Sequence, residues 1–288
     1  MPSPSADSSQ SSPSSPPIFT PDRLAITVTT ILLAAAAVSW LASYYYLMPL
    51  MMMAASGSSP SEIMGGGVAA IVSSLSISAV GFFEVVWIIG MAAMMFPAMI
   101  PVVLFYDKIK TKLETNPTLA KIAGTPLFLA GYLAMYAILG LGAYLAVFAA
   151  ITLSMTFPAL SVFAVIAPSA ILIATGLYQF SSLKTRCLSQ CVSPLGFFVT
   201  RSRSGLLGAF EMGFSHGTFC VGCCWAYMLV MLAVGAMSIP VMLGLSGVIA
   251  LEKVIIRGSV WFTRAVAIAF IALGILVAFF PAILSSLI

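Results

Sequence analysis

Six stretches of the sequence, near residues 24–48, 82–105, 125–151, 160–180, 206–234 and 259–287, stay apolar for about twenty residues or more. That is the length an α-helix needs to cross the hydrocarbon core of a bilayer. In lipid every backbone N–H and C=O has to be satisfied within the chain, so runs of this length commit to helix. The expected fold is all-α, a polytopic membrane helical bundle with the lipid bilayer as its first partner. A seventh stretch, 238–256, contains Pro240, Gly244, Gly247 and the charged pair Glu252 and Lys253, and is expected as a short, tilted or partly buried span. The expected count is about seven transmembrane helices.

Only 7% of the residues are charged and 61% are hydrophobic, at a mean hydropathy of +1.13, which excludes an ordinary soluble domain. The few cations therefore report orientation. Lys108, Lys110, Lys112 and Lys121 follow the second span, Lys184, Arg186, Arg201 and Arg203 the fourth, and Lys253, Arg257 and Arg264 the sixth, while the intervening connections carry none. The positive-inside rule then puts the amino terminus, with Arg23, in the cytoplasm and the carboxyl terminus outside. The expected location is the plasma membrane, multi-pass. A net charge of +4 distributed in this way carries no nucleic-acid footprint.

Residues 1–22, opening "MPSPSADSSQSSPSSPPIFT", are too rich in Ser and Pro to pack and read as a disordered tail. Residues 23–288 read as a single transmembrane domain. The Ser- and Gly-rich segment from Gly65 to Gly81 is expected as an interfacial or re-entrant piece. The absence of an internal repeat lowers the prior for a transporter built from two inverted halves.

Within the span 206–234 lies "HGTFCVGCC", which holds the chain's one histidine and three of its five cysteines. At about 100 degrees per residue, His216, Cys220, Cys223 and Cys224 point at roughly 0, 40, −20 and 80 degrees, and so share one helix face. Met212 and Tyr227 lie on that face and Trp225 on the opposite one. A disulfide framework would spread its cysteines, whereas all five here fall between Cys187 and Cys224, which points to metal or thiol chemistry. Thiolate and imidazole favour copper(I) or zinc, and thioethers tilt the choice toward copper(I). In "EVVWIIGMAAMMFPAMIP" the second span offers Met91, Met94 and Met95, followed by Pro97 and Pro101, which free carbonyls and bend a helix. Glu84 and Glu211, carboxylates inside apolar runs, are candidate ligands, proton carriers or partners of buried polar groups.

Cys187 and Cys191 form a C-x3-C pair in the basic connection after the fourth span. His216 is expected about 15 Å into the membrane at 1.5 Å per residue, so two readings stand. Either the pair is a separate cytoplasmic station that hands an ion to the buried face, or its segment folds inward and completes one site.

Together "GLYQFSSLKTRCLSQC", "HGTFCVGCCWAYM" and "WIIGMAAMMFPAMIP" resemble a family of bacterial and archaeal predicted metal-binding integral membrane proteins described as copper metallochaperones. The resemblance runs from about Trp87 to Gly258 and leaves the tail, the first span and the last span outside it. It implies Cys187, Cys191, His216, Cys220, Cys223 and Cys224 as ligands, with Met91, Met94 and Met95 as softer ones. It also implies a small soluble copper-chaperone partner and a recipient cuproenzyme.

Three function classes follow. The first is Cu(I) handling and delivery; the second is a soft-metal transporter with Glu84 or Glu211 carrying a counter-proton; the third is a membrane thiol-disulfide protein using Cys220 and Cys223 as a C-x2-C pair. A structural subunit of a membrane complex is the bland alternative. With no hydrolase triad and no phosphate-cradling glycine loop in the sequence, the expectation is a protein that is not an enzyme.

Overall fold

The computed structural model describes residues 23–47, 72, 75–113, 117–157, 161–235 and 239–280. The expected tail and most of the segment 65–81 fall outside them. All regular structure among the described residues is helical. The helices are α1 (Arg23–Ala42), α2 (Ile77–Leu113), α3 (Thr125–Thr156), α4 (Ser161–Tyr178), α5 (Ser182–Val192), α6 (Pro194–Arg201), α7 (Gly205–Gly235), α8 (Ile239–Ala250) and α9 (Val260–Phe279). Single π-turns follow α1 and α8, and another at Ala120–Gly124 leads into α3.

Five of these helices are long and apolar enough to cross a membrane: α1, α2, α3, α7 and α9. A sixth crossing exists if α4 and α5 are taken as one span, broken by a bend of 68°. The expected seventh, over 238–256, is a 12-residue helix and a 5-residue π-turn, short for a span of its own. Among the described residues the candidate spans therefore number five, or six with the broken pair, beside the seven expected from the sequence. α2 is the reverse case: it begins at Ile77 and runs 37 residues, and Pro97 and Pro101 stand inside it without ending it.

The break between α4 and α5 has local causes. The polar residues Gln179, Ser181 and Ser182 interrupt the apolar pattern, and the Ser181 side chain restarts the helix by accepting from the Lys184 backbone N–H at 3.1 Å. Ser193 caps α6 in the same way, accepting from Gly196 N–H at 3.3 Å, with Pro194 at the first helical position. Broken backbone at membrane depth is tolerated only where protein covers it.

α7 is the central element, lying against α3, α4, α5 and α8. Glycines let α3 come close: a Cβ on Gly131 would enter the Phe210 carbonyl, and one on Gly213 would enter the Phe128 carbonyl. Small residues at such crossings let backbones approach where lipid provides no hydrophobic drive between helices. α2 packs on α1, α3 and α8, and α9 on α4.

Three cations counted as loop charges are buried: Lys110, Lys184 and Lys253. Lys110 pairs with Asp107 at 2.5 Å and donates to Thr125 Oγ1 at 2.9 Å, fixing the turn from α2 to α3. Lys108, Lys112, Lys121, Arg186, Arg201, Arg203, Arg257 and Arg264 remain exposed, all in or beside the same alternate connections.

Candidate metal centre

The face of α7 that carries His216, Cys220, Cys223 and Cys224 is buried, each of these residues no more than 2% exposed. Trp225, on the other side, is exposed. Cys223 Sγ lies 3.3 Å from Cys224 Sγ, and both thiols turn back along the helix to donate to the Cys220 carbonyl, at 3.1 Å and 2.9 Å. All five cysteines are unbridged.

Cys187 and Cys191 are not in an exposed loop. They sit on α5, which folds inward along α7, and both are buried. Cys191 Sγ is 3.8 Å from Cys223 Sγ. Cys187 rests on the bare Cα of Gly222, where a Cβ would come within 2.6 Å of its sulfur. The Tyr178 hydroxyl at the end of α4 donates to the Gly222 carbonyl, so the bend itself is tied to this turn of α7. Of the two readings open for the C-x3-C pair, the geometry is that of a segment dipping in beside the first cluster.

α3 and α8 supply groups that sequence reasoning missed. Lys253, on the π-turn after α8, donates to Cys220 Sγ at 2.8 Å. The Tyr132 hydroxyl lies 3.1 Å from the same sulfur and donates to the Tyr136 hydroxyl at 3.3 Å. Glu252 and Lys253, adjacent on this π-turn, are both buried. Glu252 pairs with Lys184 at 2.9 Å and accepts from Thr263 at 3.0 Å. Lys184 also donates to Gln179 Oε1 and to the Tyr227 hydroxyl, the latter at 3.1 Å. Tyr227, placed on the ligand face by periodicity, belongs to this ion-pair cluster.

His216 has aromatic walls. Phe197 of α6 stands edge-on to it with ring centroids 5.0 Å apart, and Phe128 and Tyr132 of α3 lie at 6.4 Å and 6.2 Å. Its Nδ1 is buried, with no hydrogen-bond partner among the described residues. That is uncommon for a buried ring nitrogen and suits one that awaits a ligand.

Met91, Met94 and Met95 are all buried in the same apolar core as the thiols. Among the described residues no hydrogen bond joins their thioethers to a cysteine, and α2 packs chiefly on α1, α3 and α8. The segment standing against the α7 thiols is α5. Glu84 lies against Gly140, with both carboxyl oxygens buried and without a hydrogen-bond partner among the described residues. Glu211 is partly exposed and pairs with Arg203 at 2.9 Å.

As the side chains stand, no three His, Cys, Asp or Glu among the described residues enclose an ion. The reason is visible in the thiols of Cys223 and Cys224, which face a backbone carbonyl rather than a common point. The donor set itself is soft, dry and densely placed, with one nitrogen unpartnered, which fits a soft cation.

No curated protein and no solved structure matches the chain. A family model, PpoB2, described as a copper chaperone, matches residues 84–277, more than half of the 288. The matched range begins at Glu84 and reaches through most of α9, so the last helix, which the sequence resemblance left out, belongs to it. With its buried thiols inside that range, the chain belongs to the PpoB2 family of copper chaperones.

Proposed function

We propose that the protein binds Cu(I) within the membrane through Cys191, Cys220, Cys223 and Cys224, with His216 and Cys187 flanking them, and delivers it to a cuproenzyme. The observation that carries this reading is the meeting of α5 and α7, which brings Cys191 Sγ to 3.8 Å from Cys223 Sγ beside two further buried thiols. Copper is the cargo. It is soft and prefers sulfur, whereas structural zinc asks for four ligands closed into a tetrahedron. Turning Cys223 and Cys224 away from the Cys220 carbonyl opens their sulfurs to the ion, and Lys253 is the cation that the ion displaces beside Cys220. Met91, Met94 and Met95 are held as secondary soft ligands.

Passing Cu(I) from one sulfur to the next makes and breaks only metal–ligand bonds, so the protein acts as a carrier and not as an enzyme. A small soluble copper chaperone and a recipient cuproenzyme in or at the plasma membrane are the expected partners. The test is metal content of the purified protein, wild type beside a Cys220/Cys223/Cys224 serine triple variant. Bound copper lost in the variant supports the reading; equal copper in both refutes it.

The broken span of α4 and α5 and the unpartnered carboxyl of Glu84 favour a second reading, a soft-metal transporter. Flux of Cu(I) into proteoliposomes separates the two. Binding without flux leaves the carrier.

A further inference from the structure

A cavity of about 400 Å³ opens at the junction of α6 and α7, on the end of the bundle that bears the exposed cations. Arg201 and Arg203 line it with Glu211, Met212 and Ser215. Arg203 is paired with Glu211, whereas among the described residues Arg201 has a 3.4 Å bond to Ser215 and a ring contact with Phe219 and no carboxylate partner. The cavity is therefore net positive. Met212 is pinned in its wall, its Sδ accepting from the Arg203 backbone N–H at 3.3 Å.

Met212, His216 and Cys220 stand at four-residue intervals on one face of α7, about 6 Å apart along the axis. The middle member is the histidine whose Nδ1 is buried without a partner. A thioether in a cavity wall, an orphaned imidazole nitrogen one turn further in and a thiol one turn beyond that make a continuous series of soft donors.

We infer that Cu(I) reaches and leaves the thiol cluster through this cavity, by way of Met212 and then His216, and that it arrives as an anionic thiolate complex. The inference rests on the Cu(I)-binding reading. With Arg203 neutralised by Glu211, the charge of Arg201 is the one that repels a bare cation and draws in a negatively charged carrier. At the wall, the bonds from copper to the carrier's thiolates break one after another as bonds to Met212 Sδ and then to His216 form. Each thiolate returns to solution and copper stays Cu(I), so no electron is transferred.

The test measures both the rate of loading and the final copper content of the full-length protein in detergent. Cu(I) is presented either as its anionic glutathione complex or as its acetonitrile complex, which carries no negative charge. Met212→Leu keeps the volume of the side chain and removes the sulfur. It is expected to load on the order of tenfold more slowly from either source, the scale on which groups supporting a metal site act, and to reach wild-type content. Arg201→Gln is expected to slow loading from the glutathione complex alone. Wild-type rates in both variants overturn the route. A Met212→Leu protein that loads normally while Arg201→Gln is slow overturns the role of Met212. Wild-type protein that takes up no copper from either source overturns the binding reading itself, and the route with it.

Discussion

The ammonium of Lys253 lies 2.8 Å from the sulfur of Cys220, inside a bundle where both residues are buried. A lysine in an apolar span is costly unless something receives its charge, and here the receiver is a candidate ligand. Replacing Lys253 by Met removes the cation that stands beside the thiol. The apo protein is expected to lose about 1.5–3 kcal/mol, the range for a hydrogen bond to a charged group. Thermal melts in detergent should show the deficit shrinking when Cu(I) is added, because the ion then supplies the positive charge. A deficit of the same size with and without Cu(I) would count against the displacement.

The pair of Lys184 and Glu252 ties the broken span to the π-turn at 2.9 Å. Removing either partner alone, as Lys184→Met or Glu252→Gln, leaves an uncompensated buried group and is expected to cost about 3–5 kcal/mol. The double replacement by apolar residues should recover much of that. A double-mutant cycle on unfolding in detergent checks it; additive losses would show that the pair is not coupled.

Gly213 lets α7 lie directly on the Phe128 carbonyl of α3. Gly213→Ala is expected to push the helices apart and cost about 1–3 kcal/mol, the usual scale of overpacking. It should also move Tyr132 from the Cys220 sulfur. Folded yield and melting temperature measure the effect, and a variant as stable as wild type would mean that the two backbones are not this close.

Cys191 and Cys223 are close enough for their thiols to meet. With Cys187, Cys220 and Cys224 replaced by Ser, mild oxidation should join the remaining two into an intramolecular disulfide. Mass spectrometry after alkylation reads the result. Two separately alkylated thiols would place α5 away from α7.

The ligand face of α7 was legible in the sequence because a helix of known pitch fixes which side chains share a side, and His216, Cys220, Cys223 and Cys224 are local to it. What closes on that face was not legible, since it depends on a bend. Gln179, Ser181 and Ser182 do mark the break, as a polar interruption of an apolar run with a capping serine. Nothing local shows that the chain then turns inward. Lys184 and Lys253 were read as loop charges because Glu252 neutralises Lys184 only in three dimensions and Cys220 does not look like a partner for lysine at all, whereas Asp107, three residues before Lys110 on one helix, was a local signal passed over. The adjacent Glu252 and Lys253 in an apolar stretch were the available signal. Tyr132 and Tyr136, one turn apart on α3, gave a weaker one.

The central claim, that copper is held by the buried thiols of α5 and α7, is tested most directly by X-ray absorption at the copper edge of the Cu(I)-loaded protein. The account predicts a reduced copper ion with sulfur as its nearest neighbours, and a loss of sulfur scattering when Cys191 and Cys223 are replaced by Ser. A nearest shell of nitrogen and oxygen alone, or a sulfur shell unchanged in that variant, would contradict it.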